Sequence, residues 1–339
     1  MRCKYCYEKL PKLPKLMSTD TARTAIRFMI NQCQKQNVST LFVQLHGGEP
    51  LLNKSLIWEI LKEFSQWKQD DIEIKFSMTT NGTLLDRKII ECLKQYRVET
   101  SISIDGNARS HDANRIFPDG TGSFDTVFSN VILAKEIGLP IKARATINTT
   151  TVQYLAEMTE YLFALHFNEV LVSIDSYDKN WTDHNFSILE EQLERLISIQ
   201  LEHNKRKDNI RIPFVRVIES TVKKKRCDGG ITSFHVDPDG VIFPCVISVS
   251  DPRYSIGSVF FGLDYCKIAS IHALNDVEIE ECAGCQRYQY CDAIRCRIIN
   301  EKITGTPHKP PVFTCVMQNI LVRINLEYNK QRKNCEISF

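Results

Sequence analysis

No apolar run in the chain reaches the ~18 residues needed to cross a membrane, and no apolar signal-peptide core opens it. These absences make the cytoplasm the expected location, with no membrane partner. Charge of one sign is scarce too: 43 Lys and Arg against 41 Asp and Glu leave a formal net charge of +2. No sequence-wide signature of a polyanion follows, so no nucleic-acid partner is expected. Low-complexity segments and internal repeats are missing, apart from a strand–helix alternation. The most telling absence is at the N-terminus. In Met1-Arg-Cys-Lys-Tyr-Cys6, followed by Tyr7-Glu8, two thiols stand close together with no third ahead of them. An iron–sulfur cluster that keeps one iron free for a ligand needs three thiolates. The spacing therefore predicts a start upstream of Met1, carrying the first ligand and a first strand. A chain without them is expected to lack an efficient cluster reaction.

What is present is ordinary in bulk and unusual in cysteine. At 339 residues, 43% hydrophobic and 25% charged, the chain has room for one large or two medium domains and a sizeable core. Thirteen cysteines are many for such a chain. Disulfides are a poor explanation in a long chain read as cytoplasmic and not loop-rich, so the close spacings point to metal.

Residues 1–200 alternate two patterns. Apolar, β-branched runs fall at 40–45, 72–78, 100–104, 141–147 and 169–174. Helical periodicity fills 19–35, 55–68, 86–96, 123–137 and 153–166, with Gly138 where a helix should stop. The series predicts an α/β fold, a partial six-stranded β/α barrel of parallel strands lacking its first strand. A further helix is predicted at 188–207. The domains expected are a barrel at 1–206, a linker at 207–226 whose basic run 223–226 is solvated, and a small metal-held domain at 227–339 ending in a helix.

In such a fold the residues just past each strand carry the chemistry. There stand His46-Gly47-Gly48-Glu49-Pro50, Thr79-Thr-Asn81-Gly82, Ser103-Ile-Asp105-Gly106 and His111-Asp-Ala-Asn-Arg115. Each alone reads first as a turn or a surface residue. Together on one rim, glycines that let backbone approach, an amide, a hydroxyl, carboxylates and a guanidinium fit a ligand with an amino-acid head and a ribose. Further on come Cys227, Cys245, Cys282-Ala-Gly-Cys285, Cys291, Cys296 and Cys315. Spacing alone allows a four-thiolate zinc ribbon or iron–sulfur clusters. One zinc set of four would leave three cysteines behind, whereas two clusters use all seven.

Cys3-Lys-Tyr5-Cys6, Gly47-Gly-Glu-Pro50, Thr-Thr-Asn81-Gly, Ser103-Ile-Asp105-Gly and His111-Asp-x-x-Arg115 resemble the radical S-adenosylmethionine (radical SAM) enzymes, in the branch with a C-terminal SPASM domain. The resemblance covers nearly the whole chain. It implies a 4Fe–4S cluster that cleaves S-adenosylmethionine to a 5′-deoxyadenosyl radical, fed by a donor such as flavodoxin or ferredoxin. It makes Cys3 and Cys6 the second and third ligands and sets Tyr5 beside the adenine. Gly47, Gly48 and Glu49 would take the methionine ammonium, Asn81 the same rim, Ser103 and Asp105 the sugar, and Arg115 the carboxylate, with Arg144 or Thr146 as an added contact. Two auxiliary 4Fe–4S clusters follow by resemblance, one on Cys282, Cys285, Cys291 and Cys315, the other on Cys227, Cys245 and Cys296. There are departures: four residues separate Cys291 from Cys296, Ser233 stands where some relatives have cysteine, and Cys33, Cys92, Cys266 and Cys335 fit no spacing.

The resemblance implies modification of a ribosomally made peptide or protein, by thioether formation, crosslinking or side-chain oxidation. Formylglycine formation in a sulfatase is the rival. Maturases of that kind place an aspartate directly after the cysteine that here precedes Val246; Asp237 and Asp239 remain nearby bases, though Asp-Pro-Asp-Gly is a turn signal first. The alternative of another class is an inactive iron–sulfur or zinc-ribbon binding protein. The catalytic base is unassigned.

Overall fold

A computed structural model describes residues 1–6, 15–65, 67, 71–215, 227–249, 251–291 and 294–337; Tyr7-Glu8 and the basic run 223–226 lie outside the described residues. The first part runs β1 (Arg2–Cys3), α1 (Thr19–Lys35), β2 (Thr40–Leu45), α2 (Lys54–Phe64), β3 (Glu73–Thr80), α3 (Arg87–Gln95), β4 (Glu99–Ser103) and α4 (Ala108–Asp112). It continues with β5 (Arg115–Ile116), α5 (Phe124–Ile137), β6 (Ile141–Ile147), α6 (Leu155–Ala164), β7 (Val170–Ile174) and α7 (Asp183–Arg206). The rest carries β8 (His235–Val236), β9 (Val241–Phe243), β10 (Gly257–Ser258), β11 (Gly262–Leu263), α8 (Tyr265–Ala273), α9 (Arg297–Thr304) and α10 (Val312–Ile337).

Five strands in the order β2-β3-β4-β6-β7, all parallel, form a sheet curled into a half-barrel, as the alternating pattern predicts. In β3, Ile74, Phe76 and Met78 are buried beneath helices while Glu73 and Lys75 are exposed, so a period of two divides core from hollow. The helices start and stop on local chemistry. Ser18 accepts a hydrogen bond from Thr21 N at 3.0 Å, and Asp86 accepts one from Ile89 N at 2.9 Å. Gly138 ends α5 at φ 77°, a left-handed conformation that glycine adopts without strain. The helix predicted at 188–207 begins earlier, at Asp183, because Thr182 and Asn185 cap each other's backbone in a capping box.

Beyond residue 227 the core changes character. A four-stranded antiparallel sheet, β11-β10-β9-β8, buries Ile242, Ile256 and Val259 with Ile268 of α8 and borrows Ala25 from α1. A second cluster holds only Phe243, Tyr254 and Ile298. The C-terminal helix does not belong to these clusters. Met317, Ile320, Ile324 and Tyr328 of α10 lie on one helical face and join the barrel core against α7. Asn204 Nδ2 donates to Tyr328 Oη at 3.0 Å, and Arg323 pairs with Glu190 at 2.6 Å.

Candidate functional site

The N-terminal thiols are placed by a short sheet that the sequence did not reveal. β1 pairs antiparallel with β5, setting Cys3 opposite Arg115, and Lys4 N donates to Asn114 O at 2.9 Å. Cys6 N donates back to Cys3 O at 3.1 Å, so both thiols sit on one turn, Cys3 half-buried and Cys6 exposed. Burial pushes the Cys3 thiol up, and the Arg115 guanidinium works against that shift.

Below this turn lies a closed polar network. Asp105 and Arg115 are both buried. Arg115 Nη2 donates to Asp105 Oδ1 at 3.1 Å, and Nε lies 2.9 Å from Oδ2 without in-line hydrogen-bond geometry. Tyr5 donates its hydroxyl to Oδ2, and Thr146 N donates to Oδ1 at 2.8 Å. The guanidinium carbon sits 5.2 Å from the Tyr5 ring centre, and burial holds the Tyr5 hydroxyl protonated, well above its ordinary value. His111 fastens the loop: its Nδ1 accepts from Asp105 N at 3.3 Å, and Nε2 is 3.0 Å from Ser123 Oγ, which donates to Arg115 O at 2.8 Å. One neutral tautomer satisfies this chain, with the proton on Nε2. Burial lowers His111 to about 3, in keeping with a neutral ring.

Asp105 and Arg115, assigned to the sugar and the carboxylate of a ligand, are partners of each other. The physical reason is that a buried guanidinium needs a carboxylate, and the β1–β5 pairing buries this one. Glu49 is likewise engaged. Its Oε1 accepts from Leu51 N at 3.0 Å and Thr80 Oγ1 at 2.7 Å, and its Oε2 accepts from Asn81 N at 2.7 Å, so it braces the ends of β2 and β3. Burial nevertheless raises its carboxyl. Asn81 Oδ1 accepts from Thr83 N at 2.9 Å, the turn role that sequence alone favoured. Gly47 and Gly48 are exposed, Gly47 has φ 148°, and no atom lies within 4 Å of where its side chain would begin. Ser103 closes β4, laterally opposite Arg144 of β6.

The seven distal cysteines fall into two sets. The Cys282 thiol is pushed up by burial and then by Cys291, Cys285 and Cys315 around it. The Cys296 thiol rises to about 11, chiefly by burial, with Cys245 and Cys227 adding to the shift. Cys92 lies in the core of α3, where burial raises it to about 11; Cys33 packs partly buried in α1, and Cys266 is exposed. The Cys335 side chain lies outside the described residues. Asp237 Oδ1 accepts from Asp239 N at 2.9 Å and Val241 N at 3.0 Å, closing a turn, and Asp239 pairs with Lys15. Among the described residues no three Cys, His, Asp or Glu close tightly enough for a single ion.

Beside the N-terminal turn lies a polar cavity of about 430 Å³, lined by Tyr5, Cys6, Asn148, Asp175, Tyr177 and Asp178 among others. Burial raises the Tyr177 hydroxyl first, and Cys296, Asp175 and Cys245 add to the shift. Burial raises the Asp175 carboxyl as well, with Asp178 adding to it. None of these was singled out from sequence. The rule that chemistry follows strand ends points at Asn148 after β6 and Asp175 after β7.

Residues 1–162 match the family model of the radical SAM superfamily. The chain carries a radical SAM domain. Members of the superfamily use a 4Fe–4S cluster and S-adenosylmethionine. The radical SAM cyclopropyl synthase TigE of Paramaledivibacter caminithermalis is 25% identical over 350 residues, covering 97% of this chain and 72% of that protein. A cysteine-type anaerobic sulfatase-maturating enzyme of Clostridium novyi is 23% identical over 318 residues, covering 86% and 83%. Among solved structures, native anSMEcpe with bound AdoMet and Kp18Cys peptide superposes with a TM-score of 0.78 at 18% identity, covering 97% and 96%. Streptococcus suis SuiB bound to precursor peptide SuiA gives 0.65 at 14%, covering 93% and 72%. These structures share the fold.

The donor chemistry fits the cofactor. Two convergent all-thiol sets suit iron–sulfur clusters, whose cysteines stand further apart than the tight tetrahedron around one zinc. The N-terminal turn presents two thiols, Cys3 and Cys6, that could serve as two of the three thiolates of a site-differentiated cluster.

Proposed function

We propose that this radical SAM enzyme modifies a ribosomally made peptide or protein, by thioether formation, crosslinking or side-chain oxidation. The observation that carries the reading is the polar cavity bounded by Tyr5 and Cys6 and by Tyr177, whose hydroxyl lies within the electrostatic reach of Cys296 and Cys245. A substrate held there lies beside the first cysteine pair. The relatives solved with bound peptides support a peptide as its class.

Cys3 and Cys6 would hold the first cluster. Cys282, Cys285, Cys291 and Cys315 would hold one auxiliary cluster, and Cys227, Cys245 and Cys296 the other, in a SPASM region that begins at 227. When loaded, these groups supply a 5′-deoxyadenosyl radical from S-adenosylmethionine and a route for an electron leaving the substrate. The protein's own residues do the rest. The Asp105–Arg115–Tyr5 network fixes the turn that carries both thiols. Gly47 and Gly48 leave room for the amino-acid end, and Ser103 presents a hydroxyl. Asn148, Asp175 and Asp178 offer acceptors and an amide to a peptide backbone. A flavodoxin or ferredoxin serves as electron donor, and the reaction is cytoplasmic.

The test is anaerobic purification with iron counting and chromatography of S-adenosylmethionine products. About eight or more irons per chain, with 5′-deoxyadenosine formed, is expected; stoichiometric zinc alone overturns it. Sulfatase maturation ranks second. The maturase relatives favour it, but Val246 follows Cys245, and Asp237 and Asp239 are committed to turn and ion-pair contacts.

A further inference from the structure

We propose that Arg297, a cation buried at the start of α9, raises the reduction potential of the cluster that Cys296 would help to hold, and does so more than for the cluster of its neighbours Cys282, Cys285, Cys291 and Cys315. Such tuning presupposes the iron–sulfur reading of the two thiol sets. Arg297 directly follows Cys296, the N-cap of α9, and only 5% of it is exposed. Its Nη2 donates to Val277 O at 2.8 Å and its Nη1 to Pro307 O at 3.5 Å, while Nε is buried without a hydrogen-bond partner. Among the described residues no Asp or Glu forms an ion pair with it; its partners are carbonyls. Arg253, by contrast, lies between Asp251 at 2.7 Å and Glu301 at 2.6 Å.

A guanidinium in a protein does not shed its proton, so burial cannot be relieved by losing the charge. Two carbonyl dipoles offset only part of that cost, and an anion nearby would offset more. The start of α9 stands among thiols that become anionic when they bind metal. Cys245 and Cys296 pack against the small apolar cluster that contains Ile298, the residue after Arg297. Burial raises the Cys296 thiol, and the backbone N–H groups of Ile299 and Ile298 work against that shift. A full positive charge and two N–H dipoles at a helix start therefore fall within three residues of one ligand of this set. Reduction adds an electron, and both features favour added negative charge. The other set differs: Cys285 and Cys315 are exposed, and Glu281 adds negative charge to the surroundings of Cys282.

The test is an anaerobic redox titration of the cluster-reconstituted protein followed by electron paramagnetic resonance, with iron counted in every sample. The signal lost in Cys245→Ala marks the cluster in question. Arg297→Gln keeps a donor for Val277 O and removes the charge. At a fixed potential its ratio of reduced to oxidised cluster should drop about tenfold, a midpoint about 59 mV lower for one electron. Arg297→Lys returns the charge without the fork and should recover most of that loss. The midpoint of the other auxiliary cluster should move less in both variants. Iron lost from Arg297→Gln but kept in Arg297→Lys also supports the proposal, since charge then rescues the site. Midpoints unchanged in Arg297→Gln, or equal shifts of both clusters, overturn it. Iron lost from both variants overturns it too and makes Arg297 a clamp on the carbonyls of Val277 and Pro307. Wild type that holds zinc in place of iron overturns the iron–sulfur reading and the proposal with it, whereas iron-loaded wild type with insensitive midpoints in the variants overturns the proposal alone.

Discussion

The half-barrel and the cysteine-rich region are held together by different forces. The barrel buries a continuous layer of Ile, Leu, Val and Phe between sheet and helices, running from Ala22 to Val215 and reaching α10. The cysteine-rich region buries Ile242, Ile256, Val259 and Ile268 in one place and Phe243, Tyr254 and Ile298 in another. The barrel folds on hydrocarbon. Its neighbour buries far fewer apolar side chains.

Stripping the metal should widen this contrast most. Chelation under anaerobic conditions is expected to abolish amide-exchange protection in β8, β9 and α9 while β3 and β4 keep theirs. Equal protection in both regions would contradict the division. A core truncation should act in the opposite sense. Phe64→Ala, at a fully buried site, is expected to cost about 3–5 kcal/mol in urea unfolding of the barrel while leaving the bound iron unchanged. Cys315→Ser should remove about four irons, one 4Fe–4S cluster, and Cys92→Ser none.

Acid sharpens the comparison next. The folded His111 is lowered to about 3 from an unfolded value of about 6.5. A depressed value means that the unfolded chain binds the extra proton. The stabilising contribution is therefore full above about 6.5 and fades as the pH falls towards 3. Thermal unfolding followed from pH 7 to 4 should show the barrel weakening, and less so in His111→Asn; an identical slope in the variant would remove His111 from the account. The smallest effect belongs to the exposed Arg323–Glu190 pair between α10 and α7. Arg323→Ala should cost only about 0.2–1 kcal/mol in urea unfolding, less at high salt.

The barrel was legible in the sequence because its signals are local. A strand predicted at 72–78 runs Glu73–Thr80, the helix at 19–35 is matched in full, and Gly138 stops α5 where expected. What the sequence concealed is lateral. Nothing along the chain says that Cys3 lies opposite Arg115, or that the guanidinium twelve residues past Ser103 pairs with Asp105. Two-residue strands such as β1 and β10 carry no periodicity to detect. Tyr177 escaped for the same reason, since its place within the electrostatic reach of Cys296 and Cys245 depends on how two regions meet.

The last helix ties those regions together mechanically. Cys315 stands in the first turn of α10, and Asn319 one turn on donates to its carbonyl at 3.0 Å. Met317 and Ile320, on either side of that asparagine in sequence, are sunk in the barrel core. A helix rises ~1.5 Å per residue and resists shear, so the backbone at Cys315 cannot shift without dragging two core side chains with it. The reach of that thiol into the small region is thus gauged by the packing of its neighbour.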